Sequence, residues 1–251
     1  MTSVSPAAAT LAAWWASAHL TGETAVFFLG GMALTCLLVG GAMTIGFGLG
    51  TVMAALQVYG PPWARRLVGL YVWFFRGLPV LLLILLIHFG VFSQIQALIQ
   101  AVFKMQVRFP AFAGAVTALG LCSAAYQAQI FRGSLLAIPA GQFKAALALG
   151  FSPAGAVRAL ILPQALRMSL PAWSNEYSIL LKDSAVAFTI SCQGMMFRFK
   201  SVASTNYKFL LMYVLAGLAY YALTLAGVGL IMKIYRAVRF PGLAEAESPG
   251  N

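Results

Sequence analysis

Long apolar runs separated by short polar breaks set the pattern of this chain. From Ala25 to Val58 the only polar interruptions are Thr35, Thr44, Thr51 and Gln57, which predicts one tilted helix across a bilayer, since a crossing takes about 20 residues. Pro61, Pro62, Arg65 and Arg66 break that run, and Leu67 to Phe75, with Tyr71 and Trp73, reads as a segment at the membrane surface. Arg76, Gly77 and Pro79 start a second span, from Val80 to about Phe92 with room to extend through Ile99. Further apolar regions run from Ala111 to Phe131, from Ser169 to about Ser191 and from Leu210 to Tyr235. The expected architecture is therefore all-α, a polytopic membrane protein with five transmembrane helices over residues 25–240. Residues 1–24, with Trp14 and Trp15, read as an interfacial segment outside the cytoplasm, and residues 241–251 as a polar cytoplasmic tail.

One stretch does not follow the pattern. Between Arg132 and Arg167 the chain is only mildly apolar and carries its own helix punctuation. Pro139 and Gly141 open a run, 142–149, rich in the good helix formers Ala and Leu. Gly150 stands where that helix would end, because glycine takes the left-handed conformation at little cost. Ser152 and Pro153 then read as an N-cap and a first-turn proline, and Pro163 as the stop of the second helix. Two short helices meeting at a sharp corner are predicted.

Composition sharpens the class. With 61% hydrophobic and 8% charged residues, the chain lies far from the soluble average of about a quarter charged. Its net charge of +11 arises from 16 basic and 5 acidic groups. No aromatic-interleaved basic patch accompanies that charge, so nucleic-acid binding is not expected, and the positives instead report orientation. Five spans place Arg65, Arg66, Arg76, Arg132, Lys144, Arg158, Arg167, Lys233, Arg236 and Arg239 on one side and Lys104, Arg108, Arg198, Lys200 and Lys208 on the other. The richer side should be cytoplasmic, with the N-terminus outside. No Lys or Arg precedes residue 65, so the basic leader of a cleaved signal peptide is not seen and the first helix should stay.

Candidate chemistry is sparse. Two histidines, His19 and His88, lie far apart, and no phosphate-binding Gly-rich Lys loop, HExxH or GxSxG occurs, so no active site is expected. Cys36, Cys122 and Cys192 lack metal or redox spacing and read as small packing residues, with no metal site. Gly46 and Gly50 have the small-xxx-small spacing that favours close helix packing in lipid. The charged exceptions are Glu176, Lys182 and Asp183, with Asn175 and Ser178, in the fourth apolar region. Ionised groups are costly in a bilayer and face water or a partner, which makes this cluster a functional candidate. At helical offsets Asn175, Ser178 and Lys182 share one face, and Glu176 and Asp183 another. Mutual satisfaction of these groups is the alternative.

At this point a family resemblance enters. Lys144, Ala145 and Ala146, then Gly150, then Leu160 through Pro163, resemble the EAA loop of permease subunits in ABC-type importers. FRGLP at Phe75–Pro79, AYQAQIFRGSL at Ala125–Leu135, IPAGQ at Ile138–Gln142, LPQALR at Leu162–Arg167 and NEYSILLKDSAV at Asn175–Val186 resemble its polar amino-acid branch, the histidine/glutamine/arginine type. The resemblance implies a subunit of the bacterial inner membrane that moves a polar amino acid, or a related amine such as an opine, by alternating access. It implies a second permease, a pair of cytoplasmic ATPase subunits holding ATP and magnesium, and an external solute-binding protein, with no cofactor on this chain. Lys144, Ala145, Ala146, Gly150, Leu162 and Pro163 would form the ATPase-coupling loop. Asn175, Glu176, Lys182, Asp183 and Gln129 would be candidates for substrate contact or gating.

Two departures stand out. Lys144 replaces the usual first glutamate of the loop, and Gln129 stands where glutamate is common. Both favour a heterodimer whose sister subunit keeps the acidic residues. The alternative function is an ATP-independent secondary transporter or channel using Glu176, Lys182 and Asp183 as an ion path. The lack of a visible inverted repeat weighs against it.

Overall fold

The computed structural model describes residues 22–238, and every regular element among them is a helix. In chain order these are α1 (Gly22–Tyr59), α2 (Pro62–Gly77), α3 (Val80–Phe103, with a π turn at Leu86–Val91), α4 (Ala111–Ala137), α5 (Ala140–Ala148) and α6 (Pro153–Ala156). Then come α7 (Leu162–Asp183), a 3-10 segment (Ser184–Ile190), α8 (Met195–Asn206) and α9 (Phe209–Val238). The interfacial segment with Trp14, Trp15 and His19 and the tail with Glu245 and Glu247 lie outside the described residues.

Among the described residues, α1, α3, α4 and α9 are long and apolar enough to cross a membrane by themselves. They match the first, second, third and fifth predicted spans. The fourth differs: α7 is too polar to qualify, and the predicted region Ser169–Ser191 changes to a 3-10 turn at Ser184. Its charged side chains need partners or water, so neighbouring protein must supply what lipid cannot.

The predicted membrane-surface segment is also corrected. As α2 it buries Ala64, Val68 and Val72, and Val68 and Val72 pack with Ala125 and Ala128 in the middle of α4. Tyr71 Oη donates to the Leu121 carbonyl at 2.8 Å. Arg76 lies 4.9 Å from the Tyr126 ring, far from the end of α4, so it leaves the group of loop-side cations. The segment expected at the membrane surface, Leu67 to Phe75, thus lies within a helix whose buried positions meet α4.

Helix α4 is the centre of the molecule. Gly114, Ala115, Ala118, Gly120, Ala124, Ala125 and Ala128 are all buried along it. In lipid there is little hydrophobic force between helices, so close approach of small residues supplies the packing. A Cβ on Gly120 would meet Ile45 of α1 at 2.9 Å, and one on Gly50 would meet the Gln127 Cβ at 2.9 Å. Gly46 and Gly50 therefore do form a notch, and the side chain of Gln127 fills it.

Two further seams close the fold. At one end Arg198 clasps α8 onto α1: Nη1 donates to the Phe27 carbonyl at 2.6 Å, Nε to the Gln193 carbonyl at 3.1 Å, and the guanidinium covers the Phe27 ring. Gly30 and Gly31 make room for that side chain. Elsewhere Tyr177 of α7 lies against Gly227 of α9 and donates to the Leu223 carbonyl at 3.0 Å. Replacing Gly227→Val should push the ring out and break this bond, destabilising the subunit by about 1–3 kcal/mol. Thermal unfolding of the purified protein in detergent checks it, and an unchanged transition would argue against this seam. Of the cysteines, Cys122 and Cys192 are buried as expected, whereas Cys36 is exposed.

Candidate functional site

The corner forms as its punctuation predicts. Gly150 has φ +88°, its N–H donates to the Leu147 carbonyl at 3.0 Å, and the Phe151 N–H reaches back to the Ala146 carbonyl at 3.1 Å. This is the paired-bond C-terminal motif in which only a residue without Cβ strain sits comfortably at the left-handed position. Two residues later Ser152 Oγ accepts from the Gly155 N–H at 3.1 Å, with Pro153 in the first turn. Ala146 faces inward and is buried, while Lys144 and Ala145 are exposed. Leu149 is 81% exposed, and Leu147 and Phe151 are also exposed. A small apolar face beside a lysine is thus presented away from the bundle.

Pro163 does not stop the second helix. The helical backbone runs from Pro153 through a π turn, Val157–Ile161, into α7, with Pro163 in its first turn. The π turn shifts the hydrogen-bond register just where the proline lacks a donor, so the helix passes the residue. Gln164 Nε2 adds a donor to the Leu160 carbonyl at 3.0 Å. Ile161 and Ala165 are buried with Ala54, Phe131, Leu135 and Ile138, fastening the corner to the ends of α1 and α4. The Tyr59 and Phe143 rings, 5.2 Å apart, extend that fastening to α5.

The polar positions of α7 do not form the predicted stripes. Asn175 and Lys182 are exposed, but Ser178 between them is buried and bonds the Ser174 carbonyl at 3.1 Å. Glu176 is only 3% exposed, and Asp183 is half-buried at the helix end. Glu176 Oε1 accepts from Ser123 Oγ at 2.7 Å. Gln127 Nε2 donates to Ser123 Oγ at 3.0 Å and to the Met43 carbonyl at 3.3 Å, and Gln127 Oε1 accepts from Trp173 Nε1 at 2.7 Å. A buried network of four side chains thus ties α4 to α7 and α1. Satisfied polar groups of this kind specify one packing strongly, because breaking any member leaves a buried group unpaired. Gln129, two residues beyond Gln127 and on a different face of α4, is engaged instead with Gln57, Nε2 to Oε1 at 2.9 Å.

Ser123, Gln127 and Trp173 were not singled out in the sequence. Their one signal is the i, i+4 spacing of Ser123 and Gln127 inside an otherwise small and apolar helix, which places both on one face. Nothing in the linear pattern says that Glu176, more than forty residues on, meets that face.

Beside the network, Cys36, Met43, Phe47, Trp173, Tyr177 and Ile231 help line an apolar groove of about 500 Å³ between α1, α7 and α9. No group of three or more His, Cys, Asp or Glu able to hold a metal is found among the described residues. The site's chemistry is that of a hydrogen-bonded helix seam joined to an exposed corner.

Known proteins resemble this chain in sequence and in fold. The chain is 34% identical over 176 residues to the probable amino-acid permease protein YxeN of Bacillus subtilis (strain 168), covering 70% of this chain and 75% of the relative. It is 32% identical over 225 residues to the arginine ABC transporter permease protein ArtQ of Escherichia coli (strain K12), covering 84% and 92%. Among solved structures, an amino acid ABC transporter determined with histidines superposes with TM-score 0.72 at 30% identity, covering 86% of this chain and 96% of that one. The family described as binding-protein-dependent transport system inner membrane component matches residues 46–240, and the chain belongs to that family, the permease subunits of ABC importers.

Proposed function

We propose that this subunit passes a polar amino acid, or a related amine, through the inner membrane by alternating access, with the corner at Gly150 in the cytoplasm and the N-terminus outside. The observation that carries this reading is the continuous helical run from Pro153 to Asp183. At 1.5 Å per residue such a rod is roughly 45 Å long. It joins the exposed corner to the buried Glu176 network, so a partner moving the corner moves the polar seam with it. Lys144, Ala145, Ala146 and Gly150 offer the contact, Leu162 and Pro163 begin the rod, and a cytoplasmic ATPase binding ATP and magnesium supplies the movement. The names of the relatives support amino acids as cargo, and an external binding protein would deliver it.

Asn175, Lys182 and Asp183 are accessible polar groups in the second half of α7 and take the role of substrate contact or gate, whereas Glu176 and Gln129 act through the side chains they hold. Asn175 and Lys182 are exposed polar groups within a membrane domain, which favours cover by a second permease. Lys144 and Gln129 in place of glutamates support a non-identical sister. Copurification yielding only identical permease subunits in an active complex would overturn the heterodimer.

If Asp183 meets a positive group of the cargo, Asp183→Asn should lower uptake of cationic amino acids about tenfold and of neutral ones little, the loss of one charged hydrogen bond being worth about 1.5–3 kcal/mol. Radiolabelled uptake by proteoliposomes holding the whole transporter reads this directly, and equal loss for both classes would assign Asp183 a structural role. Uptake persisting without ATP in the same vesicles would favour the secondary-transport reading instead.

A further inference from the structure

Behind the corner lies a cavity of about 730 Å³ that the transport reading does not use. Its walls are largely apolar, with Val52, Ala55, Leu56, Phe143, Val157 and Leu162 among them, and both Arg65 and Arg158 line it. Each arginine is solvent-exposed, so the cavity joins an apolar interior to a cationic rim. Arg65 is held in place: Nε donates to the Gly60 carbonyl at 2.8 Å and Nη2 to the Val58 carbonyl at 3.4 Å, at the end of α1. With five N–H donors, it retains others for a ligand. No residue lining the cavity is acidic, and the chain has no Asp or Glu at all between residues 24 and 175.

We propose that this cavity binds an anionic phospholipid, its phosphate between Arg65 and Arg158 and an acyl chain against the apolar wall. Guanidinium groups match phosphate geometry and are more weakly hydrated than ammonium groups. Basic pockets between membrane helices on the cytoplasmic side recognise anionic headgroups for the same reason. Trp63, 66% exposed and two residues before Arg65, is the aromatic type that sits at headgroup depth. A free anion would satisfy the arginines but leave the apolar wall uncovered, and an acidic peptide would have the same defect. Because α5 and α6 contribute to the wall through Phe143 and Pro153, a bound lipid touches the corner itself.

The test uses the full-length chain with its copurifying partners, reconstituted in bilayer discs of phosphatidylcholine with a minority of phosphatidylglycerol, then extracted for native mass spectrometry of retained lipid. Wild type should retain phosphatidylglycerol preferentially. Arg158→Gln should lower that retention on the order of fivefold, the value of one basic residue at an anionic surface. Ala154→Trp, which fills the cavity without altering charge, should lower it too, while Arg66→Gln, outside the cavity, should not. Retention unchanged in both Arg158→Gln and Ala154→Trp overturns the proposal. So does full displacement of the lipid from wild type by soluble glycerol 3-phosphate, which would make this a simple anion site. Lipid retention is read without transport, so failure here leaves the importer reading untouched.

Discussion

Replacing Gly150→Val should leave the transporter assembled and hydrolysing ATP while uptake falls at least about tenfold. Gly150 holds φ +88°, and a Cβ built there meets nothing within 4 Å. The cost of the substitution is therefore conformational and not steric crowding by neighbours. A β-branched residue in the left-handed region is strained by about 1–3 kcal/mol, and the cheapest relief is to unwind the corner that presents Leu149 and Phe151. An energy of 1.4 kcal/mol is already a factor of ten in an equilibrium. Gly150→Asn provides the control, since asparagine tolerates this conformation better than other residues with a side chain. Uptake and ATPase rates measured together on the same proteoliposomes decide the matter. Normal uptake in the valine variant would sink the corner geometry, as would equal loss in the asparagine variant.

The second large effect is expected at Gly46→Val. Here the strain is steric: the new side chain would run into the Gln127 amide, and Ser123 Oγ lies 3.1 Å from the Cβ position. Forcing Gln127 aside separates it from Trp173, Ser123 and the Met43 carbonyl, leaving several buried polar groups unpaired. Each costs about 1–3 kcal/mol, and overpacking adds a similar amount, so the subunit should fail to accumulate as a folded protein. Gly48→Val, two residues on and with open space around its Cβ position, should accumulate normally. Size-exclusion profiles of the two variants extracted side by side provide the comparison. A monodisperse Gly46→Val protein would mean that the network is not a determinant of this packing.

These two glycines differ in how legible they were. Gly150 was readable because a local rule governs it: a helix rich in Ala and Leu stops at glycine, then restarts at Ser152 and Pro153, and all the atoms that enforce the corner lie within a few residues. Gly46 could be read only as a possible packing position, since the meaning of a notch depends on what fills it. Pro163 shows the limit of local rules in the other direction. A proline ends a helix when nothing else compensates, but a π turn beside it and the packing of Ile161 and Ala165 carried the helix onward.

From sequence alone followed the helical membrane class, the positions of four apolar spans, the exposed corner with Gly150 at its hinge, and the family motifs around it. Those features depend on composition and on neighbours close in the chain. Tertiary structure decided that α2 packs along α4 instead of lying at the surface. It decided too that Arg76 covers Tyr126, and that Glu176 is buried against Ser123 while Asn175 and Lys182 stay exposed. The same face of a helix can meet lipid, water or another helix, and residue spacing records only that the positions share a face. Which one they meet is set by the helix brought against them.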